Sequence, residues 1–189
     1  MTDDEVLAEF RAAEALLEGH FILSSGLRSS RYLQCARVLM DPRRASRLAE
    51  ALAAKIDLEI DIVVSPAMGG VIIGHEMGRA LGVEALFLER PEGVFELRRG
   101  FRLKAGQRVL MVEDVVTTGL SSREAIKAIT AAGGIVVAAA ALVDRSDGAA
   151  DLGVPFTPLI RLSVPSFEAD KLPPELVAIP AIKPGSRTV

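Results

Sequence analysis

The residues richest in chemistry form one run, Val109-Leu110-Met111-Val112-Glu113-Asp114-Val115-Val116-Thr117-Thr118-Gly119-Leu120-Ser121-Ser122. Four apolar residues lead into two carboxylates, a turn of threonine, glycine and serine follows, and a helical pattern begins. Backbone N–H groups of such a turn, with the N-terminus of the next helix, make a site for a phosphate dianion. Thr117, Thr118, Ser121 and Ser122 add hydroxyl donors, and Gly119 lets the backbone come close. Glu113 and Asp114 would repel a phosphate, yet they suit the hydroxyls of a ribose, which need acceptors. A ribose 5-phosphate satisfies both halves. The competing reading is a plain strand–turn–helix, capped by Ser121 or Ser122, with a solvated acidic pair. Two carboxylates placed directly after a buried strand are costly without a purpose, which favours the ligand.

The elements that must hold this run follow from hydrophobic periodicity. Residues 4–17 read as an amphipathic helix with Val6, Phe10, Ala13 and Leu17 on one face, stopped by Gly19. A second helix follows Pro42 and carries Leu48, Leu52 and Ile56. Residues 62–64, 85–88 and 109–112 are short apolar runs without alternation, as expected of strands buried on both faces in a parallel sheet. Ile73, Met77, Ala80 and Leu81 share a helix face ending before Gly82. Ala125, Ala128, Ile129 and Ala132 share another, ending at Gly133-Gly134. Residues 135–143 make a further buried strand and 157–162 a short one. Residues 95–103 read as the return arm of a hairpin or a mobile loop, and the tail, about 180–189, as loosely ordered. The β-α-β-α-β alternation predicts a doubly wound α/β fold, an open and mostly parallel sheet flanked by helices, with an N-terminal helical addition. No linker divides the chain, so one domain over residues 1–189 is expected.

The run at 113–121 resembles the signature of type I phosphoribosyltransferases for 5-phosphoribosyl-1-pyrophosphate (PRPP), and its Thr117-Thr118-Gly119 form resembles the orotate branch of that family. Phe21-Ile22-Leu23-Ser24-Ser25-Gly26-Leu27-Arg28-Ser29-Ser30-Arg31-Tyr32 resembles the orotate-binding segment of those enzymes. Val64-Ser65-Pro66-Ala67-Met68-Gly69-Gly70 resembles their pyrophosphate loop, and Leu142-Val143-Asp144-Arg145 the strand end whose arginine meets the orotate carboxylate. The resemblance implies the type I fold with an N-terminal hood at about residues 1–40. It assigns PRPP to Arg90, Glu113, Asp114, Val115, Val116, Thr117, Thr118, Gly119, Leu120 and Ser121. Catalytic roles fall on Asp114, Glu113 and Arg90, the acidic pair taking the ribose hydroxyls and Arg90 reaching pyrophosphate. Orotate falls to Thr117, Arg145, Tyr32 and Ser24, and the pyrophosphate loop to Pro66, Ala67, Met68, Gly69 and Gly70. The implied reaction is displacement of pyrophosphate from the anomeric carbon by a ring nitrogen of orotate, giving orotidine 5′-monophosphate in de novo pyrimidine synthesis. The family also implies a homodimer with sites near its interface. It implies Mg2+ as well, held by pyrophosphate, ribose and water oxygens, without a dedicated cage of protein ligands.

Three departures stand out. Leu120 follows Thr-Thr-Gly where the family has a small residue, and Gly69 stands where it commonly has a lysine. The family's mobile loop carries lysines and a histidine; the matching residues here, 90–101, carry neither. Arg98 and Arg99 are the nearest cationic substitutes in such a loop, with a solvated basic turn as the alternative.

Composition narrows the class of protein. Of 189 residues half are apolar and a quarter charged, with a net charge of −3, so no basic surface marks a nucleic-acid or membrane binder. Cys35 stands alone, so it forms no intrachain disulfide and fits a buried thiol in a reducing compartment. The acidic start lacks the pattern of a signal peptide, and the expectation is a soluble, cytoplasmic protein. Two other readings remain: a purine-base phosphoribosyltransferase, which leaves Arg145 without a use, and a regulatory module that senses PRPP. Against the second stand the intact Glu113-Asp114 and the lack of a helix-turn-helix or basic patch.

Overall fold

In the computed structural model, which describes residues 1–23 and 26–183, Thr2 opens helix α1 (Asp3–Ala12). Its hydroxyl accepts from the Glu5 N–H and the Glu5 side chain returns to the Thr2 N–H, a capping box that satisfies two orphan donors. The helix stops there rather than running to residue 17. Leu16 and Leu17 instead enter strand β1 (Leu16–Ile22), antiparallel to β2 (Arg28–Leu33). Gly19 stops no helix; it lies at the irregularity of β1 between Glu18 and Phe21. Pairing with β2, which a period count along one segment does not register, decides this stretch. Helix α2 (Cys35–Leu39) and α3 (Pro42–Ala53) follow, the second started by Asp41 accepting from the Arg43 N–H, with Pro42 in the first turn.

The remaining chain alternates as expected: β3 (Ile62–Pro66), α4 (Gly70–Leu81), β4 (Glu84–Glu89), a 3-10 turn (Pro91–Gly93) and β5 (Glu96–Leu97). Then come β6 (Arg108–Val116), α5 (Leu120–Ala131), β7 (Ile135–Asp144), β8 (Phe156–Arg161), β9 (Ser166–Phe167) and α6 (Pro174–Val177). The main sheet has the order β5-β4-β3-β6-β7-β8, parallel from β4 to β8. β5 closes an antiparallel hairpin with β4, the first of the two readings for residues 95–103. The chain leaves β3 towards β4 on one side and returns to β6 on the other, so the β3/β6 boundary is the switch point where open α/β sheets bind ligands.

Both faces of the sheet are covered. Val63, Leu110, Val112, Ala140 and Leu142 pack with α1, α3 and α4; Val64, Met111, Ala139 and Ala141 pack with α5. The N-terminal addition is a helix joined to a three-stranded sheet, β1-β2-β9, and so is not purely helical. Part of the tail is also tied down: Ile182 donates to His20 O and accepts from the Ile22 N–H, each at 2.8 Å. Residues 184–189 lie outside the described residues. Among the described residues no helix is long and apolar enough to cross a membrane.

Helix α4 sits close on β3 because glycines line its underside. A Cβ at Gly74 would stand 2.7 Å from Ser65 Cβ and closer still to Ser65 Oγ, and one at Gly78 would stand 2.8 Å from Ala85 Cβ. Gly74→Ala should therefore lower stability by about 1–3 kcal/mol, the scale of core overpacking. Urea unfolding should show a lower midpoint with an unchanged slope; an unmoved midpoint would mean α4 can lift freely.

Candidate active site

Strand β6 runs further than the apolar pattern indicates. Glu113, Asp114, Val115 and Val116 all stay in it, with Glu113 opposite Ala141, Val115 opposite Val143 and Val116 opposite Asp144. The turn is reduced to Thr117, Thr118 and Gly119, and α5 begins at Leu120. Gly119 is its N-cap at φ 73°, so neither Ser121 nor Ser122 caps the helix. Leu120 is 58% exposed and directs its bulk outward, which accommodates a residue larger than the family's.

Successive strand residues point to opposite sides, and the two carboxylates divide accordingly. Glu113, only 7% exposed, accepts a hydrogen bond from Ser121 Oγ on α5 at 3.3 Å. Asp114 lies against the loop after β3: a Cβ at Gly69 would stand 2.6 Å from Asp114 Oδ1 and 2.9 Å from Oδ2. A side chain at residue 69 could exist only if that carboxylate moved. Burial and the charge of Asp114 push the Glu113 carboxyl up to about 8, against smaller opposing pulls from Ser121 and Arg90. Burial raises Asp114 too, opposed by the backbone N–H groups of Val115 and of Asp114 itself. Both carboxylates are short of compensation.

Around them the structure gathers the other expected residues. Arg90 and Glu124 line a cavity of about 240 Å3 with Val115, Val116, Thr117, Thr118, Gly119, Leu120, Ser121 and Ser122. Arg90 donates to Glu124 Oε2 at 2.6 Å and lies 3.9 Å over the Phe95 ring. Pro66 ends β3, Ala67 donates to Leu88 O, Met68 is 85% exposed, and Gly69 and Gly70 lead into α4. Arg145 follows β7 level with Thr117, its N–H donating to Val116 O at 2.8 Å. Its Nε is buried without a hydrogen-bond partner among the described residues, and that burial lowers its pKa.

Other residues are placed differently. Tyr32 packs in the hood sheet, its ring 5.8 Å from Phe21, and Ser24 lies outside the described residues. Arg98 and Arg99 both pair with Glu89, at 3.6 Å and 2.6 Å, on a hairpin end closed by Phe101 N–H donating to Arg98 O. Among the described residues no group of three His, Cys, Asp or Glu side chains is placed to hold a metal ion.

Sequence reasoning missed several neighbours of the site. Asp144, fully buried, accepts from Ser146 N, Ser146 Oγ and Gly148 N at 2.8, 2.6 and 3.1 Å and so shapes the turn that presents Arg145. The Cys35 thiol, also buried, reaches the Asp114 carbonyl at 3.7 Å and is pushed well up by burial and then by Asp114. Within the hood segment singled out from the sequence, Arg28 carries buried Nε and Nη1 without partners among the described residues. Arg123 and Glu124 close the first turn of α5 and open its second, where a helix following such a turn could have drawn attention to them.

A model of the phosphoribosyl transferase domain matches residues 39–156. The chain is 76% identical to an orotate phosphoribosyltransferase of Rhizorhabdus wittichii, over 99% of this chain and 97% of the relative. The crystal structure of the orotate phosphoribosyltransferase of Aeropyrum pernix superposes with a TM-score of 0.70 at 29% identity, covering 83% of this chain and 93% of that one. The Mycobacterium tuberculosis orotate phosphoribosyltransferase in complex with PRPP gives 0.66 at 26% identity, covering 84% and 96%.

The raised Glu113 carboxyl makes a prediction about pH. Its pKa near 8 in the folded chain exceeds the ordinary 4.5, so the fold favours the protonated form. The stabilisation is complete below the ordinary value and is lost as pH rises through the folded one. Thermal unfolding of the wild type should therefore weaken relative to Glu113→Gln between about pH 5 and pH 9. A pH-independent difference would mean the carboxylate is compensated in the folded chain.

Proposed function

We infer the activity and the role of each residue from one premise: this chain belongs to the phosphoribosyltransferase family, in its orotate branch. It transfers the 5-phosphoribosyl group of PRPP to orotate, giving orotidine 5′-monophosphate and pyrophosphate in pyrimidine synthesis. The turn Thr117–Thr118–Gly119 and the start of α5 hold the 5′-phosphate through N–H and hydroxyl donors. Glu113 and Asp114 accept from the ribose hydroxyls. As pyrophosphate departs, positive charge grows on the ribose, and Asp114, joined by Glu113 once that group is ionised, stabilises it where it develops. Arg90, on the wall of the cavity, exchanges Glu124 for a pyrophosphate oxygen. The loop from Pro66 to Gly70 offers its backbone to the same group. Arg98 and Arg99 can assist only if the hairpin releases them from Glu89.

Mg2+ would be held by pyrophosphate, ribose and water oxygens, with the Asp114 carboxylate, on the side of the pyrophosphate loop, accepting from the ion's water shell. The ion would supply charge neutralisation to the leaving pyrophosphate. We also assign a homodimer: Met68 and Ile72, exposed beside the pyrophosphate loop, offer an apolar patch for a second copy. The single, buried Cys35 fits a reducing compartment such as the cytoplasm.

Arg145 carries the choice of base. A buried guanidinium N–H without a partner among the described residues suits an anion, and orotate brings a carboxylate that a purine lacks. Tyr32 and Ser24 stay with the hood segment that would cover the base. Loss of ultraviolet absorbance on mixing the protein with orotate, PRPP and Mg2+ tests the activity. In that assay Arg145→Ala should raise the orotate KM strongly and the PRPP KM far less, since a charge-assisted pair in a closed site is worth about 2–5 kcal/mol. Equal loss for both substrates would make Arg145 a structural residue, and turnover of purines in place of orotate would overturn the assignment.

A further inference from the structure

Arg123 stands one turn into α5, outside the cavity, and its Nη1 donates to two backbone carbonyls: Thr118 O at 3.1 Å and Asp151 O at 2.8 Å. The first belongs to the phosphate turn, the second to the loop that continues from Arg145. The turn rests directly on this contact. A Cβ at Gly119 would stand 2.9 Å from Arg123 Nη1 and 2.6 Å from Leu152 Cδ2, and φ at Gly119 is 73°. The turn is also fixed along the main chain, by Arg123 N–H donating to Gly119 O at 2.9 Å and Leu120 N–H donating to Thr118 Oγ1 at 3.4 Å.

Peptide planarity gives these contacts a consequence. The C=O and N–H of one trans peptide point in opposite directions. With the Thr118 carbonyl drawn to Arg123, the Gly119 N–H is aimed away from that side chain. We propose that Arg123 is a positioning residue for the 5′-phosphate: it locks the Thr118–Gly119 peptide with its N–H towards the cavity and fastens the phosphate turn to the loop behind Arg145. This rests on the phosphate assignment made above. Arg123 touches no substrate; it acts through the orientation of a neighbouring peptide. A lysine keeps the charge, but its ammonium rotates freely, whereas the two N–H bonds of Nη1 are held in the guanidinium plane and meet both carbonyls at fixed geometry.

Calorimetric titration of the full chain with ribose 5-phosphate tests this without turnover. Arg123→Ala should weaken ribose 5-phosphate binding and raise the PRPP KM by about tenfold, equivalent to roughly 1.4 kcal/mol. The orotate KM should rise much less than the PRPP KM, because the Arg145 N–H keeps its own hydrogen bond to Val116 O. Arg123→Lys should recover only part of the loss. Unchanged ribose 5-phosphate affinity in Arg123→Ala overturns the proposal. Full recovery by lysine overturns it too, because charge alone would then suffice. So does a parallel loss for both substrates with a matching fall in Tm, which marks a purely structural role. If the wild type binds ribose 5-phosphate and fails to consume orotate, the assigned reaction fails while the role of Arg123 is still read from the binding arm.

Discussion

Glu113 and Asp114 stand side by side on the central strand, with ladder partners on one flank, helices on both faces and a hood segment nearby. Removing one carboxylate from water is costly, and removing two neighbours adds their repulsion. The chain accepts this at the end of β6, where the sheet's connectivity reverses and no crossover covers the strand end. Burial pushes both pKa values up by more than Ser121, Arg90 and the backbone N–H groups pull them down, so the pair enters binding short of positive charge. The rest of the site follows from that constraint. Ser121 is brought back onto Glu113 by the first turn of α5, and the Asp114 carboxylate occupies the space that Gly69 leaves and would have to turn aside for a side chain there.

Under the proposed reading, the same strand end joins the two halves of a ribose phosphate site. The carboxylates lie on the strand, the phosphate donors lie in the three-residue turn beyond it, and β7 runs in register alongside. Pairing of Val116 with Asp144 brings Arg145 level with Thr117, so the group suited to a base carboxylate stands beside the group suited to the sugar phosphate. Rigid β pairing, not a flexible loop, sets that spacing. The cations are disposed differently. Arg90 is committed to Glu124 and Phe95, and Arg98 and Arg99 to Glu89, so neutralising a leaving pyrophosphate requires exchange of existing partners.

Much of this was legible in the residues themselves, for physical reasons. Runs such as 62–64 and 109–112 are apolar on both sides because helices cover both faces of a parallel sheet, and that pattern is local. The strand–turn–helix at 109–131 was legible because an apolar run, a Thr-Gly-Ser turn and a helical period follow one another locally. Leu16 and Leu17 were misread as the end of a helix because they join a strand only by pairing with β2, and a period count within one segment does not register a partner. The extent of β6 was obscured likewise: carboxylates argue for a turn, and only the ladder to β7 keeps them in the strand. The tail's tie at Ile182, the buttress from Arg123 and the pairing of Arg99 with Glu89 depend on long-range contacts that composition and spacing do not encode.

The most direct measurement of the central claim compares Asp114→Asn with the wild type in PRPP affinity and in kcat. The substitution keeps the shape and removes the charge. If the acidic pair acts chiefly on the positive charge that develops on the ribose, kcat should fall by on the order of tenfold to a thousandfold while PRPP affinity changes much less. An unchanged kcat, or a loss of PRPP affinity equal to the loss of turnover, would contradict the account and leave the buried carboxylates with a role in ground-state binding or in the fold alone.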